Sequence, residues 1–308
     1  MANAYYTTNF MAMGTRCDMV IVDTDSDMAE RIARSIQHET LQLEHLLSRY
    51  NPDGPVAKFN ALSAGDSFEP DASLWAILTE MQQVSLATFG VFDVTAGAII
   101  RLWKDMPDDT IVHSLELEKA RSQSGFDKLS FDHERRTVTK LTDGLELDFG
   151  AVGKGIALDK LKDLLIVQKV SAAFISFGES SILGWGKHPN GPYWPVGIPN
   201  PMNHSEVLHT FQVLDESITT SGSVSGNDAQ GFRRRRHLVD PRSGESVKGD
   251  WLVSVKSDSA LKGEVISSIW GILNEEERLA LHSYAAGAEV LEIEFLSQGE
   301  AVKQLTTL

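Results

Sequence analysis

Residues 146–159 carry three glycines and one lysine between two apolar segments. The stretch is Glu-Leu-Asp-Phe-Gly-Ala-Val-Gly-Lys-Gly-Ile-Ala-Leu-Asp, with a strand-like pattern before the glycines and a helix-like pattern after them. Glycine lets a backbone approach a ligand closely, and the first turn of a helix presents free N–H groups to an anion. Lys154 adds a positive charge and Asp148 a carboxylate. Two interpretations stay open: an anion site, or an ordinary glycine-rich turn with a solvated lysine.

Two common phosphate-binding loops are excluded by their spacing. A Walker loop has four residues between its first glycine and its Gly-Lys-Ser/Thr. In this chain two residues separate Gly150 from Gly153, and a glycine follows Lys154. A dinucleotide-binding fingerprint places its close glycine pair first, whereas the close pair here, Gly153 and Gly155, comes last. An anion site in this stretch would therefore belong to a different class of loop.

The composition is that of an acidic globular protein. The chain has 308 residues, of which 42% are hydrophobic, and its formal net charge is −15. This length suits one large domain or two modest ones with a real core. The charge argues against a broad nucleic-acid surface, because such a surface needs clustered basic residues. An anionic ligand would need cations or a metal ion supplied locally.

The cysteine content and the N-terminus bear on the compartment. The single cysteine, Cys17, cannot form an internal disulfide, and its alternating surroundings predict a buried structural thiol. The N-terminal residues lack the basic and apolar regions of a signal peptide. No apolar run approaches the ~20 residues that a membrane helix needs. We therefore expect a cytoplasmic protein with no membrane insertion.

Hydrophobic periodicity predicts a mixture of helices and strands. The predicted helices cover residues 26–47, 73–88, the segment after the central glycines, 260–273 and 275–286. The predicted strands cover residues 16–23, 128–132, 137–141, 145–149, 173–177, 194–198, 208–214, 217–220, 237–239, 251–257 and 288–295, followed by a frayed tail. The elements do not alternate in a regular βαβ rhythm, and this favours an α+β fold over a parallel Rossmann sheet.

Four consecutive arginines, Arg233–Arg236, stand out in so acidic a chain. They are either a small nucleic-acid patch or the solvated edge of a strand or loop, and the second interpretation is the ordinary one. His237 follows them directly. Positive neighbours disfavour protonation of an imidazole, so His237 is expected to stay neutral. A neutral imidazole suits a general base, and the alternative is a histidine in an ordinary hydrogen-bonding position.

Two further groups of polar residues are candidates for ligand binding. Residues 219–223, Thr-Thr-Ser-Gly-Ser, offer hydroxyls and a glycine, as in a ligand loop or a simple turn. Glu264 and Ser268 are four residues apart on a predicted helix, so their side chains share one face. A carboxylate and a hydroxyl placed in this way can supply oxygen ligands to Mg²⁺.

Seven short motifs, taken together and in this order, resemble those of the ApbE family, the FAD:protein FMN transferases. They extend through nearly the whole chain. The motifs are Met13-Gly-Thr15; Leu47-Ser-Arg-Tyr50 with Phe59-Asn60; Phe92-Asp-Val-Thr95 leading to Leu102-Trp103; the central glycine stretch at 147–155; Val196-Gly-Ile198 with Pro201; Thr220-Ser-Gly222; and His237-Leu-Val-Asp-Pro-Arg-Ser-Gly244.

The resemblance implies both a fold and an activity. The fold would be α+β with T-fold-like antiparallel sheets and packed helices, as one domain over residues 1–308, either a single unit or two intertwined subdomains. The protein would bind FAD and cleave its pyrophosphate with Mg²⁺. It would pass FMN to a threonine hydroxyl of an acceptor protein and release AMP. Some members of the family instead hydrolyse FAD to FMN and AMP.

The resemblance also assigns the residues that contact the nucleotide. Met13, Tyr50 and the region of Trp103 would contact FAD. Asp148 and Lys154, in the central stretch, would also face the cofactor. Lys154 would in addition offset the charge that builds on the bridging oxygen of the diphosphate during transfer.

Metal and proton-transfer roles follow from the same resemblance. Ala151 would offer its backbone carbonyl to Mg²⁺. Glu264 and Ser268 line up with the family's Asp-x-x-x-Thr metal pair. His237 matches the histidine proposed to help activate the incoming hydroxyl, and Lys154 completes the catalytic group.

The chain departs from the family's pattern at several positions. Glu264 replaces the usual aspartate and Ser268 the usual threonine, so the ligand types are kept while their reach changes. Lys104-Asp105-Met106 follows Trp103 where glycines and an aromatic residue are usual. Gly178-Glu179-Ser180 stands where a Gly-Gly pair is common, and the arginine run is not a usual feature.

The sequence thus predicts a Mg²⁺-dependent FAD:protein FMN transferase. An FAD pyrophosphatase that gives FMN and AMP is one alternative. A non-catalytic flavin-binding paralogue, whose altered metal pair holds nucleotide without cleaving it, is another. Nucleic acid is not an expected partner.

Overall fold

The computed structural model describes residues 5–22, 25–105, 114–224, 238–247, 249–296 and 301–308. The strands are β1 (Tyr5–Ala12), β2 (Thr15–Val22), β3 (Ser67–Phe68), β4 (Leu129–Asp132), β5 (Thr137–Lys140), β6 (Ala172–Phe177), β7 (Ser181–Trp185), β8 (Trp194–Asn200), β9 (Asn203–Val213), β10 (Glu216–Ser223), β11 (Trp251–Ser257), β12 (Glu289–Phe295) and β13 (Ala301–Thr307). The helices are α1 (Ser26–Leu47), α2 (Pro55–Asn60), α3 (Ala72–Ala87), α4 (Gly97–Asp105), α5 (Ser114–Ser122), α6 (Gly153–Val167), α7 (Ala260–Ile269), α8 (Glu275–Ala280) and α9 (His282–Ala285).

The main sheet contains eight strands in the order β1-β2-β6-β7-β10-β11-β12-β13. Neighbouring strands in this order pair antiparallel. A three-stranded sheet, β3-β5-β4, and the hairpin β8-β9 complete the strand pairing. The α+β class, which the mixed pattern of elements predicts, is confirmed, and so are the antiparallel sheets that the family resemblance implies.

Alternation along the strands gives the main sheet two buried faces. In β2, Cys17, Met19 and Ile21 belong to one core cluster and Val22 to another. The first cluster also contains apolar residues of α1, α6 and α7, so these helices cover one face. The second contains the inward residues of the β8-β9 hairpin, which covers the other face. Cys17 is fully buried, as the sequence predicts.

Helix α1 has the bounds that its sequence predicts, because its hydrophobic periodicity extends over many residues. It spans Ser26–Leu47, the predicted bounds, and buries the apolar stripe that predicted it. Its start is capped by Asp25, whose carboxylate accepts the backbone N–H of Met28. A stripe of this kind needs a partner, and α1 finds it on α6 and the strands beneath.

The predictions for residues 145–149 and for the C-terminal tail are wrong. Of the strand predicted at 237–239, the described residues show only an isolated bridge between Val239 and Ser246. Residues 145–149 do not form a strand: Glu146 makes one isolated parallel bridge with Ala96, and Asp148 donates its N–H to the carbonyl of Val94. This segment pairs with a loop instead of a strand, so no ladder can extend. The predicted frayed tail is also wrong, because residues 301–307 form β13 and pair with β12 along its length.

One further sequence expectation concerns membrane insertion. Among the helices of the described ranges, none has the length and apolar character needed to cross a bilayer.

Asp93 organises the turn that leads into α4. Its Oδ1 accepts hydrogen bonds from the backbone N–H and the hydroxyl of Thr95, at 2.8 and 2.7 Å. The Thr95 hydroxyl in turn accepts the N–H of Gly125 at 2.6 Å. Burial raises the pKa of Asp93 to about 6, and the two bonds from Thr95 oppose the rise.

We predict that Asp93→Asn removes part of the pH dependence of stability. Because the folded-state pKa lies above the ordinary value of 3.8, the native state binds the proton more tightly. Stability contributed by this proton is present at low pH and is lost as pH rises from about 4 to about 6. Two pKa units correspond to about 3 kcal/mol, so the wild type should lose on the order of 2 kcal/mol more than the variant.

Urea denaturation at pH 4.5 and 7 measures this difference. Asp53→Asn is the control, because Asp53 is exposed and is not among the groups that shift the pKa of Asp93. Parallel pH profiles for the wild type and Asp93→Asn would contradict the assignment.

Candidate functional site

The central glycine stretch forms a tight loop that ends as the first turn of α6. The N–H of Gly150 donates to Oδ1 of Asp148 at 2.7 Å, and the N–H groups of Val152 and Gly153 both donate to the carbonyl of Phe149. Gly150 is exposed, while Gly153 and Gly155 are buried. The loop therefore presents its first glycine to solvent and packs its last two into the molecule.

Helices α6 and α7 cap each other through two carboxylates. Glu264 of α7 accepts the backbone N–H of Gly155, in the first turn of α6, at 2.7 Å. Asp159 of α6 accepts the N–H groups of Ala260 and Leu261, in the first turn of α7, at 2.7 and 3.0 Å. First-turn N–H groups have no partner inside their own helix, and they carry the positive end of the helix dipole. Each carboxylate thus stabilises the start of the other helix.

Gly155 allows this close crossing. A Cβ built at this position would lie 2.7 Å from Oε2 of Glu264 and 2.8 Å from the carbonyl oxygen of Ala260. The second of these atoms is backbone and cannot move aside. A glycine at this point is therefore a packing requirement between α6 and α7.

The carboxylate of Glu264 has further partners besides Gly155. Its Oε1 accepts the hydroxyl of Ser181 at 2.6 Å and lies 3.2 Å from Nζ of Lys154. The Glu264 side chain is 4% exposed and that of Lys154 is 22% exposed. Burial raises the pKa of the Glu264 carboxyl, and the charge of Lys154 with the bonds from Ser181 and Gly155 opposes the rise. Two of the predicted site residues, Lys154 and Glu264, are thus in direct contact.

Ser268 lies one helical turn after Glu264 and is also buried. Its hydroxyl is 3.3 Å from the hydroxyl of Ser221 on β10, which is 3.0 Å from that of Ser267. The Thr-Thr-Ser-Gly-Ser segment is therefore part of a strand that faces α7, and not a loop. Ala151, the third predicted metal ligand, is exposed in the turn before α6. Within the described ranges, no group of three or more His, Cys, Asp or Glu side chains is arranged to hold a metal ion.

A buried guanidinium fixes the other end of the loop. Nη1 of Arg49 donates to Oδ2 of Asp148 at 2.7 Å and to the carbonyl of Gly97 at 3.3 Å, and Nη2 pairs with Glu146. The side chains of Arg49 and Asp148 are 10% and 6% exposed. Arg101 pairs with Glu146 from the surface at 3.0 Å. One oxygen of Asp148 is bound by Arg49 and the other by Gly150, so this carboxylate holds the loop in shape.

Nothing in the sequence marks Arg49 as a residue of the site. Arg49 lies in the Leu47-Ser-Arg-Tyr50 motif, in which the family resemblance assigns an FAD contact to Tyr50 and not to Arg49. Two acidic residues two positions apart, Glu146 and Asp148, are the signal for a buried cation between them, but the sequence does not say which cation reaches them.

Of the other predicted nucleotide contacts, Tyr50 and Met13 lie near this loop, and Trp103 contacts the segment at 238–247. The Tyr50 side chain is exposed, and its hydroxyl accepts from Nζ of Lys104 at 3.2 Å. Nζ of Lys104 is also 4.0 Å from Oδ2 of Asp148. Met13 has a positive φ of 54°, and its Sδ would lie 3.7 Å from a Cβ built on Gly153. Trp103 is half-buried and donates its Nε1–H to the carbonyl of Gly244 at 2.8 Å.

His237 and Arg233–Arg236 lie outside the described residues. The segment that follows them, 238–247, is anchored on α4 through the bond from Trp103 to Gly244. Within that segment, the N–H of Val247 donates to the carbonyl of Leu238 at 2.9 Å. The role predicted for His237 therefore stays a prediction.

A separate groove of about 710 Å³ lies between α1, α3 and α6. Its lining includes Glu39, Glu80, Asp159 and Asp163 together with Lys160. None of the predicted site residues lines it. The groove is thus distinct from the loop at 148–155, and its acidic lining does not suit a diphosphate.

A sequence model of the ApbE family matches residues 13–291 of the chain. The chain belongs to the ApbE family. It is similar to proteins named FAD:protein FMN transferase from Klebsiella pneumoniae (strain 342), at 24% identity over 82% of this chain and 74% of that protein, and from Escherichia coli (strain K12), at 23% identity over 86% and 77%. The family resemblance inferred from the seven motifs is confirmed.

Solved structures of the family share the fold. The flavin transferase ApbE from Vibrio cholerae superposes with a TM-score of 0.82 at 20% identity, over 99% of this chain and 97% of that one. The ApbE protein from Thermotoga maritima gives a TM-score of 0.83 at 21% identity, over 98% and 97%. The expected ApbE-like fold is confirmed over nearly the whole chain.

We predict that Arg49→Met destabilises the protein by about 3 kcal/mol, because it removes the cation nearest to the buried carboxylate of Asp148, whereas Glu146 keeps Arg101. Urea denaturation at pH 7 measures the loss. Arg101→Met is the control: its side chain is 53% exposed, so the cost should stay below about 1 kcal/mol. Equal losses for the two variants would show that Arg49 does not hold the loop.

Proposed function

We propose that this protein transfers FMN from FAD to a hydroxyl of an acceptor protein. The acceptor oxygen attacks the phosphorus on the flavin side, the bond from that phosphorus to the bridging oxygen breaks, and AMP leaves with the bridging oxygen. One observation carries the proposal: Lys154, in a glycine-rich loop at a helix start, contacts the buried carboxylate of Glu264 in a chain of the ApbE family. Relatives in that family are named FAD:protein FMN transferase.

The residues around the loop suit the parts of FAD. Tyr50 is an exposed aromatic ring with a cation beside it, and such a ring stacks well on a planar heterocycle. Met13 lies against the start of α6 and offers an adaptable apolar contact. Trp103 supports the neighbouring segment through its bond to Gly244. Asp148 contributes through the shape of the loop, since both its oxygens are already bound by Arg49 and Gly150.

Lys154 is the residue that we propose for the diphosphate. Its ammonium is a flexible point charge of the kind that binds phosphate oxygens. Placed on the bridging region, it would offset the negative charge that develops as AMP leaves. His237 is our candidate for the group that takes the proton from the acceptor hydroxyl, and a threonine is our candidate for the acceptor side chain.

Mg²⁺ is part of the proposal, with Glu264, Ser268 and the carbonyl of Ala151 as the residues that would hold it. A carboxylate, a hydroxyl and a carbonyl are the oxygen ligands that Mg²⁺ takes, and Glu264 and Ser268 are buried one turn apart on α7. Bound there, the ion would supply positive charge to the diphosphate.

A cytoplasmic location also stays a prediction.

The direct test is incubation of the purified protein with FAD, Mg²⁺ and an extract of the source cells. We expect AMP in the supernatant and flavin fluorescence that stays on a protein band after denaturation. AMP with free FMN and no labelled band would indicate a pyrophosphatase. FAD that binds but yields no AMP would indicate the non-catalytic paralogue and contradict the proposal.

A matched pair of variants locates the activity at the loop. Lys154→Met should slow AMP release about 100-fold, because one charge-stabilising group at the transition state contributes that order of magnitude. Lys160→Met changes an exposed lysine of the same helix and should leave the rate within twofold. Equal rates for the two variants would exclude Lys154 from the reaction.

A further inference from the structure

Three groups of the chain already contact the buried carboxylate of Glu264. Oε2 accepts the N–H of Gly155 at 2.7 Å, and Oε1 accepts the hydroxyl of Ser181 at 2.6 Å and faces Nζ of Lys154 at 3.2 Å. An ionised carboxylate offers about four lone-pair positions, so these donors take up most of its capacity. Its charge is balanced by one ammonium and by the positive end of a helix dipole.

These partners compete with a metal ion. Mg²⁺ demands near-ideal octahedral geometry and close oxygen ligands. Oε1 of Glu264 lies 3.2 Å from the ammonium of Lys154. If this oxygen also coordinated a divalent ion on the same side, the ion and the ammonium would repel each other. The residues proposed to hold the metal have the right chemistry, but in this arrangement one cation is already in place.

The length of the glutamate side chain explains the contact with α6. Glu264 reaches across to the N–H of Gly155, and the absence of a Cβ at Gly155 leaves the space that its Oε2 occupies. An aspartate is one methylene shorter and would draw the carboxylate back toward α7. The longer side chain of Glu264, in place of the family's usual aspartate, is therefore what allows the contacts with Gly155 and Lys154.

Lys154 is the partner of Glu264 that is able to leave. Gly155 donates from the backbone of a helix and Ser181 from a strand, and both are buried. The Lys154 side chain is partly exposed and has four rotatable bonds. A nucleotide diphosphate at the loop offers more negative charge than one carboxylate and is the natural competitor for this ammonium.

We propose that Lys154 occupies the cation's place on Glu264 in the nucleotide-free protein, and that a divalent ion can bind Glu264 only after a nucleotide diphosphate has drawn the ammonium away. This rests on the proposed function, because it takes the diphosphate to be that of FAD. The ligands would then bind in a fixed order, the nucleotide before the metal ion. Lys154 would contact Glu264 in the nucleotide-free state and the diphosphate in the nucleotide-bound state.

Mn²⁺ binding without nucleotide tests the proposal at pH 8, with free Mn²⁺ measured by electron paramagnetic resonance. We expect Lys154→Met to bind one Mn²⁺ at least tenfold more tightly than the wild type, because the variant frees the carboxylate. The double variant Lys154→Met with Glu264→Gln should lose this gain, and Lys160→Met should match the wild type. A wild type that binds Mn²⁺ as tightly as Lys154→Met would overturn the proposal.

A second measurement covers the case in which Lys154→Met does not fold. ADP serves as the diphosphate probe, and Mn²⁺ affinity is compared for the wild type and Glu264→Gln, each with and without ADP. We expect ADP to tighten Mn²⁺ binding at least tenfold more in the wild type than in Glu264→Gln. An equal effect in both proteins would overturn the proposal.

The Mn²⁺-binding experiments and the test of the proposed function can fail independently of each other. AMP release from FAD by the wild type tests the transferase alone. If AMP is released while Mn²⁺ binds without nucleotide, the proposed order is wrong and the activity stands. If Mn²⁺ binding follows the proposed order and no AMP appears, the order stands for a nucleotide-binding protein that does not transfer.

Discussion

The contact between the carboxylate of Glu264 and the first turn of α6 ties the functional loop to the rest of the molecule. Asp159 makes the reverse contact with the first turn of α7, so the two helices hold each other at the end where Lys154 lies. Gly155 permits the approach because no Cβ separates the helices. The position of Lys154, and with it the positive charge of the loop, depends on this pair of caps.

Charge around the loop is balanced within the protein. Arg49 and Arg101 pair with Asp148 and Glu146, and Lys154 pairs with Glu264. In a chain with a net charge of −15, buried carboxylates thus hold the side chains of Arg49 and Lys154 beside the loop. An incoming anion must therefore compete with carboxylates of the protein. Arg49 is too deeply buried to be released, so exchange falls to the more exposed lysine.

Much of the fold follows from local sequence, and most of the site does not. The long apolar stripe of α1 predicts its bounds, and the seven motifs predict the family. Residues 145–149 have a strand-like pattern but meet a loop, and only the folded chain shows this. The contacts of Lys154 with Glu264 and of Arg49 with Asp148 join residues about a hundred positions apart. Residue spacing carries no information on such pairs, so the sequence predicts neither the partner of Lys154 nor that of Asp148.

The most direct test of the account is a double-mutant cycle on stability between Lys154 and Glu264. Urea denaturation at pH 7 of the wild type, Lys154→Met, Glu264→Gln and the double variant gives the coupling energy of the pair. Because Glu264 is buried, we expect each single variant to lose on the order of 2–4 kcal/mol, and the double variant to lose at least about 1.5 kcal/mol less than the sum. Additive losses would show that the two residues do not interact, and would contradict the central role given to this contact.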